Sequence, residues 1–314
     1  MKYFKFLSLS VLFLSLQGAL LWAPQAAAAK DRGDSQTLPA DNNLPSVQKN
    51  LRNGANDREI YFGEDKRLLH PWLKAKEVPA KEVKTVPWFG EKLKFKISWA
   101  FITAGEAEMN FDKIVDINGQ KAYKAETIAK SYSAIDAVFK VRDNNVSWLS
   151  ADSLRSLGYW QSVREGKYAR DEWVEFNYAK NDFKTYKQDK NGQITTWENN
   201  FRGASIYDML SSLYYVRTRR LPLKTTVFFD IVNRNRQYPL KVEVLRRETV
   251  KVKAGEFKCI VVEPMISGEG IFVSKGKSLK VWLTDDEYKM PVKMTVEVFI
   301  GNVSAELAEY SREK

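Results

Sequence analysis

From Trp88 onward, large apolar residues recur at every second position. In the run Lys92-Leu93-Lys94-Phe95-Lys96-Ile97-Ser98-Trp99-Ala100-Phe101, lysines and small residues separate Leu93, Phe95, Ile97, Trp99 and Phe101. Successive side chains of a strand point to opposite faces, so this run predicts one core face and one wet face. The same alternation returns at Leu240, Val242 and Val244, at Leu279, Val281 and Leu283, and at Val292, Met294, Val296, Val298 and Ile300. Asn118-Gly119 and Asn191-Gly192 separate further runs, and Asn-Gly is a strong hairpin signal because type I′ turns need positive φ at both central positions. Lys253-Ala254-Gly255-Glu256 marks a third turn. About a dozen strands joined by hairpins imply an antiparallel meander.

One long stretch breaks the period of two. Across Ser205–Arg217, the residues Ile206, Met209, Leu210, Leu213 and Tyr214 fall at helical spacing. Ser205 with Asp208 three residues later resembles a capping box. Arg217, Arg219 and Arg220 suit the negative end of the helix dipole. A mainly apolar helix in a β-rich chain is expected to pack into the concave side of a curved sheet. A shorter helical turn is expected at Ser133–Val138.

The N-terminus reads differently. Lys2 and Lys5 precede an apolar run from Phe6 to Trp22, followed by Ala26-Ala27-Ala28-Ala29. This is the order of a secretory signal, with cleavage expected near Ala28 or Ala29. Residues 1–29 are therefore read as a signal peptide and 88–314 as a β-rich exported domain. Residues 30–87 read as a flexible polar linker. It carries a short docking segment, Leu68-Leu69-His70-Pro71-Trp72-Leu73. No later segment reaches membrane-spanning length without charges.

Composition narrows the chemistry. Fifty Lys+Arg against 39 Asp+Glu leave a formal charge of +11 in 314 residues, which favours acidic partners. For an exported chain these are lipid headgroups or anionic envelope polymers rather than nucleic acid. The chain has one cysteine, Cys259, and one histidine, His70. That supply excludes an intramolecular disulfide, a cysteine-cluster metal site and a His–His metal pair. No metal or other cofactor is expected. A Ser–His–Asp site would need His70 as its base, yet His70 reads as a packing or surface residue. Asp285-Asp286-Glu287 is the best carboxylate cluster and reads as a turn. Lys92, Lys94 and Lys96 read as a solvated stripe, and Cys259 as a small core side chain.

The motifs also stand in a familiar order. Gly90-Glu91-Lys92-Leu93 is followed by Ala104-Gly105-Glu106-Ala107, Phe139-Lys140-Val141-Arg142-Asp143, the Asp208–Arg217 helix and Ala254-Gly255-Glu256-Phe257. Gly268-Glu269-Gly270-Ile271-Phe272, Trp282-Leu283-Thr284-Asp285-Asp286 with Met290-Pro291-Val292, and Phe299-Ile300-Gly301 complete the series. From about Trp88 to Leu307 the chain resembles the exported bacterial domain-of-unknown-function family 3108. The resemblance implies a mainly β protein, a curved antiparallel sheet forming a partly open β-barrel around one principal α-helix, secreted to the periplasm. It carries over no catalytic residue.

The expected function is that of a non-enzymatic periplasmic protein of the cell envelope, holding an amphipathic or lipid-like ligand against the concave sheet. Trp160, Trp173, Tyr207, Tyr214 and Trp282 are the candidate lining residues, with Arg217 and Arg219 at the rim to meet an anionic head. The candidate partners are a lipid, an acyl chain or an envelope polysaccharide. A glycan-binding or envelope-assembly factor is the alternative, and a carboxylate-based hydrolase a second one.

Overall fold

The computed structural model describes residues 47–51, 61–62, 67–233, 235–266, 278–297 and 301–313. The stretch read above as a signal peptide, most of the one read as a linker, Gly268–Phe272, Val298 and Phe299-Ile300 lie outside them. In chain order the strands are β1 (Val47–Leu51), β2 (Tyr61–Phe62), β3 (Leu68–Leu69), β4 (Glu91–Trp99), β5 (Ile102–Ile117), β6 (Gln120–Ser131) and β7 (Arg142–Ser150). Then come β8 (Ser156–Glu165), β9 (Tyr168–Asn177), β10 (Asp182–Gln188), β11 (Ile194–Asn200), β12 (Thr226–Asn233) and β13 (Arg236–Val252). The last are β14 (Gly255–Ile266), β15 (Leu279–Thr284), β16 (Pro291–Glu297) and β17 (Asn302–Arg312). The described helices are α1 (Ser133–Phe139) and α2 (Met209–Arg217).

Fifteen of these strands form one sheet, in the order β1-β11-β10-β9-β8-β7-β6-β5-β4-β17-β16-β15-β14-β13-β12. Every paired neighbour is antiparallel, as a hairpin meander requires. Register slips at Ile97/Ser98, Asn110/Lys113, Val244/Arg246 and Leu307/Glu309 bend the strands. The sheet curls without closing by strand pairing. Its seam is spanned by the chain between β11 and α2. There Tyr207 forms a single parallel bridge to Ile231, and the Gln237 side chain both accepts from the Arg202 N–H and donates to the Arg202 carbonyl. The result is a partly open barrel.

Alternation places the core as expected over most of the sheet. Leu93, Phe95 and Ile97 are buried, as are Leu240, Val242, Val244, Leu279, Val281, Leu283, Val292, Met294 and Val296. Lys92 and Lys94 lie on the wet face, each paired with an acid of β5. Phe101 departs from the pattern. β4 ends at Trp99, Ala100 takes positive φ, and Phe101 is fully exposed at the turn into β5.

Asn118-Gly119 makes a two-residue hairpin turn with φ of 52° and 87°. Asn191-Gly192 does not. Only Gly192 has positive φ, and the loop is built on Asp189, whose carboxylate accepts from the N–H groups of Asn191 and Gln193. That side-chain acceptor holds a longer connection than two residues could make.

The segment between β1 and β4 packs on the convex face of the sheet. Leu68 and His70 are fully buried there beside Trp148, Trp160 and Trp173. Pro71–Lys74 forms one 3₁₀ turn capped by His70, whose Nδ1 accepts from the Trp72 N–H at 3.0 Å. Gly158 makes room for it, since a Cβ at this position would stand 2.9 Å from the Trp72 ring and 2.5 Å from the Val174 carbonyl oxygen. Consequently β7 to β9 are covered on both faces.

Candidate ligand cavity

Helix α2 is shorter than its apolar pattern suggests. Asp208, in extended conformation, is its N-cap, and Ser205 takes no part in the cap. The capping box is Asp208 with Ser211: the Asp208 carboxylate accepts from the N–H groups of Leu210 and Ser211, and the Ser211 hydroxyl oxygen accepts from the Asp208 N–H. The same carboxylate accepts from the hydroxyls of Ser147 and Ser156, each at 2.6 Å. Asp208 thus fastens the helix start to β7 and β8.

Between α2 and the concave sheet lies a cavity of about 110 Å³. Its apolar wall is aliphatic. Val232, Leu240, Val242, Val262, Leu279, Val281, Leu283 and Met294 face Met209, Leu210, Leu213 and Val216 of the helix. The opposite wall is polar, made by Thr127, Asn145, Tyr159, Gln161, Asp208 and Ser212. The cavity is therefore two-faced.

The polar wall is tied together from behind. Glu172, buried on β9, accepts from the Tyr159 hydroxyl at 2.9 Å and from Gln161 Nε2 at 3.0 Å. The Asn145 amide donates to Thr127 Oγ1 at 3.2 Å. Burial pushes the Tyr159 phenol well above its ordinary pKa, and the Glu172 carboxylate adds to the shift. Gln161 is 2 % exposed, and its Oε1 has no hydrogen-bond partner among the described residues.

Most of the expected lining residues lie elsewhere. Trp160 borders the cavity, yet its indole N–H donates to the Leu68 carbonyl beneath the N-terminal segment. Trp173 stacks on Tyr186 at 3.9 Å within the same outer cluster. Tyr214 stacks on Phe111 at 4.2 Å, and Tyr207 on Tyr215 at 4.3 Å beside the seam. Trp282 alternates with the lining residues Val281 and Leu283 and donates its indole N–H to Glu248 on the other face.

Arg217 is not at a rim. Its side chain is 0 % exposed and makes two bonds to Glu91, at 2.7 and 2.8 Å, plus a third to the Tyr288 carbonyl. Arg219 is exposed, its guanidinium 5.5 Å from the centre of the Tyr215 ring. The residues missed by pattern reading are Thr127, Asn145 and Gln161. Their only mark in the sequence is a polar side chain at a position that the period of two turns inward.

The other candidate groups have structural partners. Asp286 accepts from the Thr284 hydroxyl and from the N–H groups of Tyr288 and Lys289, which is the turn reading. Asp143 accepts from the Arg164 backbone N–H. Cys259 is buried and its thiol is pushed up to about 12, chiefly by burial. No group of three or more His, Cys, Asp and Glu among the described residues is arranged to hold a metal ion.

A family model described as a protein of unknown function, DUF3108, matches residues 94–308. Among solved structures, a β-barrel-like protein of domain of unknown function DUF1849 from Brucella abortus shares 8% identity, with a TM-score of 0.46 over 73% of this chain and 100% of that one. A protein described as exported, with a YmcC-like fold, from Bacteroides fragilis shares 10% identity with a TM-score of 0.31, covering 71% and 96%. A candidate lipoprotein from Parabacteroides distasonis shares 10% with a TM-score of 0.31, covering 72% and 97%. No curated protein matches the chain.

Proposed function

The chain belongs to the DUF3108 family of proteins of unknown function, and from that premise we propose that it is an exported, non-enzymatic envelope protein that holds an amphipathic, lipid-like molecule between α2 and the concave sheet. The observation that carries this reading is the two-faced cavity, aliphatic along β13 to β16 and polar along β6 to β8. An alkyl chain on the aliphatic wall gains ~0.8 kcal/mol for each buried CH₂. Export is supported by the basic, apolar and alanine-rich order of the first residues. Among the described residues no helix is long and apolar enough to cross a membrane. A glycan platform would need flat aromatic faces open to solvent, whereas Trp160, Trp173 and Trp282 are buried.

Native mass spectrometry of protein purified from its own envelope tests the reading, together with displacement of the fluorescent probe N-phenyl-1-naphthylamine by alkyl amphiphiles. A copurified lipid mass, or displacement by alkyl compounds that Leu213→Trp abolishes, is the expected result. If neither a lipid mass nor displacement is found with folded wild-type protein, the reading fails.

A further inference from the structure

We infer that the polar wall of this cavity selects an uncharged head group that donates a hydrogen bond, such as a hydroxyl or an amide, over a carboxylate or phosphate. The inference rests on the proposed ligand cavity and adds the chemistry of its occupant.

Gln161 supplies the first argument. Its amide orientation is set by a neighbour: Glu172 is an acceptor, so the NH₂ end must face it, as the 3.0 Å contact records. The carbonyl end is then the one left over. It is buried, it belongs to a residue lining the cavity, and no described group donates to it. A buried acceptor without a donor is costly, and a ligand O–H or N–H relieves that cost.

Charge supplies the second. Asp208 is buried at this wall and Glu172 behind it, and the buried Arg170 pairs with Glu172 at 3.8 Å rather than lining the cavity. Asp208 is already saturated by four donors. The arginine best placed by sequence to meet an anion, Arg217, is spent on Glu91. An anionic head would therefore face the Gln161 carbonyl oxygen and the Asp208 carboxylate, with Glu172 behind them, in a poorly screened interior. A hydroxyl or amide would donate to Gln161 without adding charge.

The test compares four amphiphiles of one chain length, dodecanol, dodecanamide, dodecanoate and dodecyl phosphate, as displacers of N-phenyl-1-naphthylamine at about pH 8, where dodecanoate is charged. The alcohol and amide should displace the probe at about tenfold lower concentration than the two anions. Gln161→Leu should erase that preference by weakening displacement by the alcohol and the amide. Because it also removes the buried hydrogen bond to Glu172, each variant is compared at a temperature where a thermal melt shows it folded. Gln161→Met serves if the leucine variant does not fold, and the wild-type series decides the point without either. Glu172→Gln, which frees the Gln161 amide to turn over, should also weaken the preference, marking Glu172 as a positioning residue. Equal displacement by all four, or tighter binding of the anions, overturns this inference while the cavity reading stands. Displacement by none of them overturns the cavity reading itself.

Discussion

A guanidinium with no access to water must find its compensation inside the protein, and Arg217 finds it at Glu91, the Tyr288 carbonyl and the Trp88 ring, 4.7 Å away. The two partners are not equivalent. Glu91 also accepts from Arg312 at 3.2 Å, so it keeps a cation when Arg217 is lost. Glu91→Leu should therefore cost about 3–5 kcal/mol and Arg217→Met measurably less, as read by urea unfolding. His70 offers a pH test. Burial among Trp72, Trp148 and Trp173 lowers its pKa well below 6.5, although Glu175 lies 3.5 Å from Nε2. Below about 6.5 the unfolded chain binds a proton that the folded chain refuses, so stability is complete above that pH and falls as the pH drops toward the folded value. His70→Gln should flatten this slope between about pH 5 and 7 in urea melts. The role of His70 as a packing residue was legible in its lone position. The roles of Arg217 and Gln161 were not, because the first depends on a carboxylate 126 positions away and the second on which face of β8 points inward.

At the scale of elements, alternation was legible wherever one face of a strand meets water, as in β4 and β16. It fades in β8, where Ser156–Val163 is buried on both faces. The period of two assigns faces by polarity, and a strand buried on both sides carries little polarity contrast. This is why the tryptophans of β8 and β9 pointed to the wrong side of the sheet. The helix was legible in its position and less so in its start, because Ile206 and Tyr207 are apolar for another reason: they pack at the seam and bridge to β12. Asp208 and Leu213 should accordingly behave unlike ordinary helix residues. Asp208→Ala should cost more than the ~0.5–2 kcal/mol of a lost cap, since two buried seryl hydroxyls lose their acceptor too. Leu213→Ala trims a half-buried side chain that already borders a cavity, so it should cost less than the ~2–5 kcal/mol of a fully packed leucine. Thermal or urea denaturation of both variants ranks them.

At the scale of the molecule, the curved sheet divides its labour by face. The concave side holds the cavity, and the convex side of β7 to β9 holds a second apolar cluster that the sheet cannot cover alone. Leu68 to Leu73 covers it, although the family match begins only at residue 94. The attachment is specific rather than merely greasy. The Leu68 N–H donates to Gln188 Oε1 at 2.8 Å, the Trp160 indole donates to the Leu68 carbonyl at 2.9 Å, and Glu77 bridges to Val115 along β5. Further along, the Tyr123 hydroxyl donates to the Lys84 carbonyl at 3.1 Å. A chain begun at Trp88, where the alternation starts, would uncover Trp148 and Trp173 and leave the buried Gln188 amide without its donor. Uncovering a large side chain forfeits about 1.5–3 kcal/mol, so losing cover over several of them consumes much of an ordinary domain's stability. Compared with a chain begun at Lys30, the shorter one should melt at markedly lower urea, bind a hydrophobic dye and show red-shifted tryptophan emission. Equal urea midpoints and equal emission would mean that this segment is a passenger on the sheet rather than part of its core.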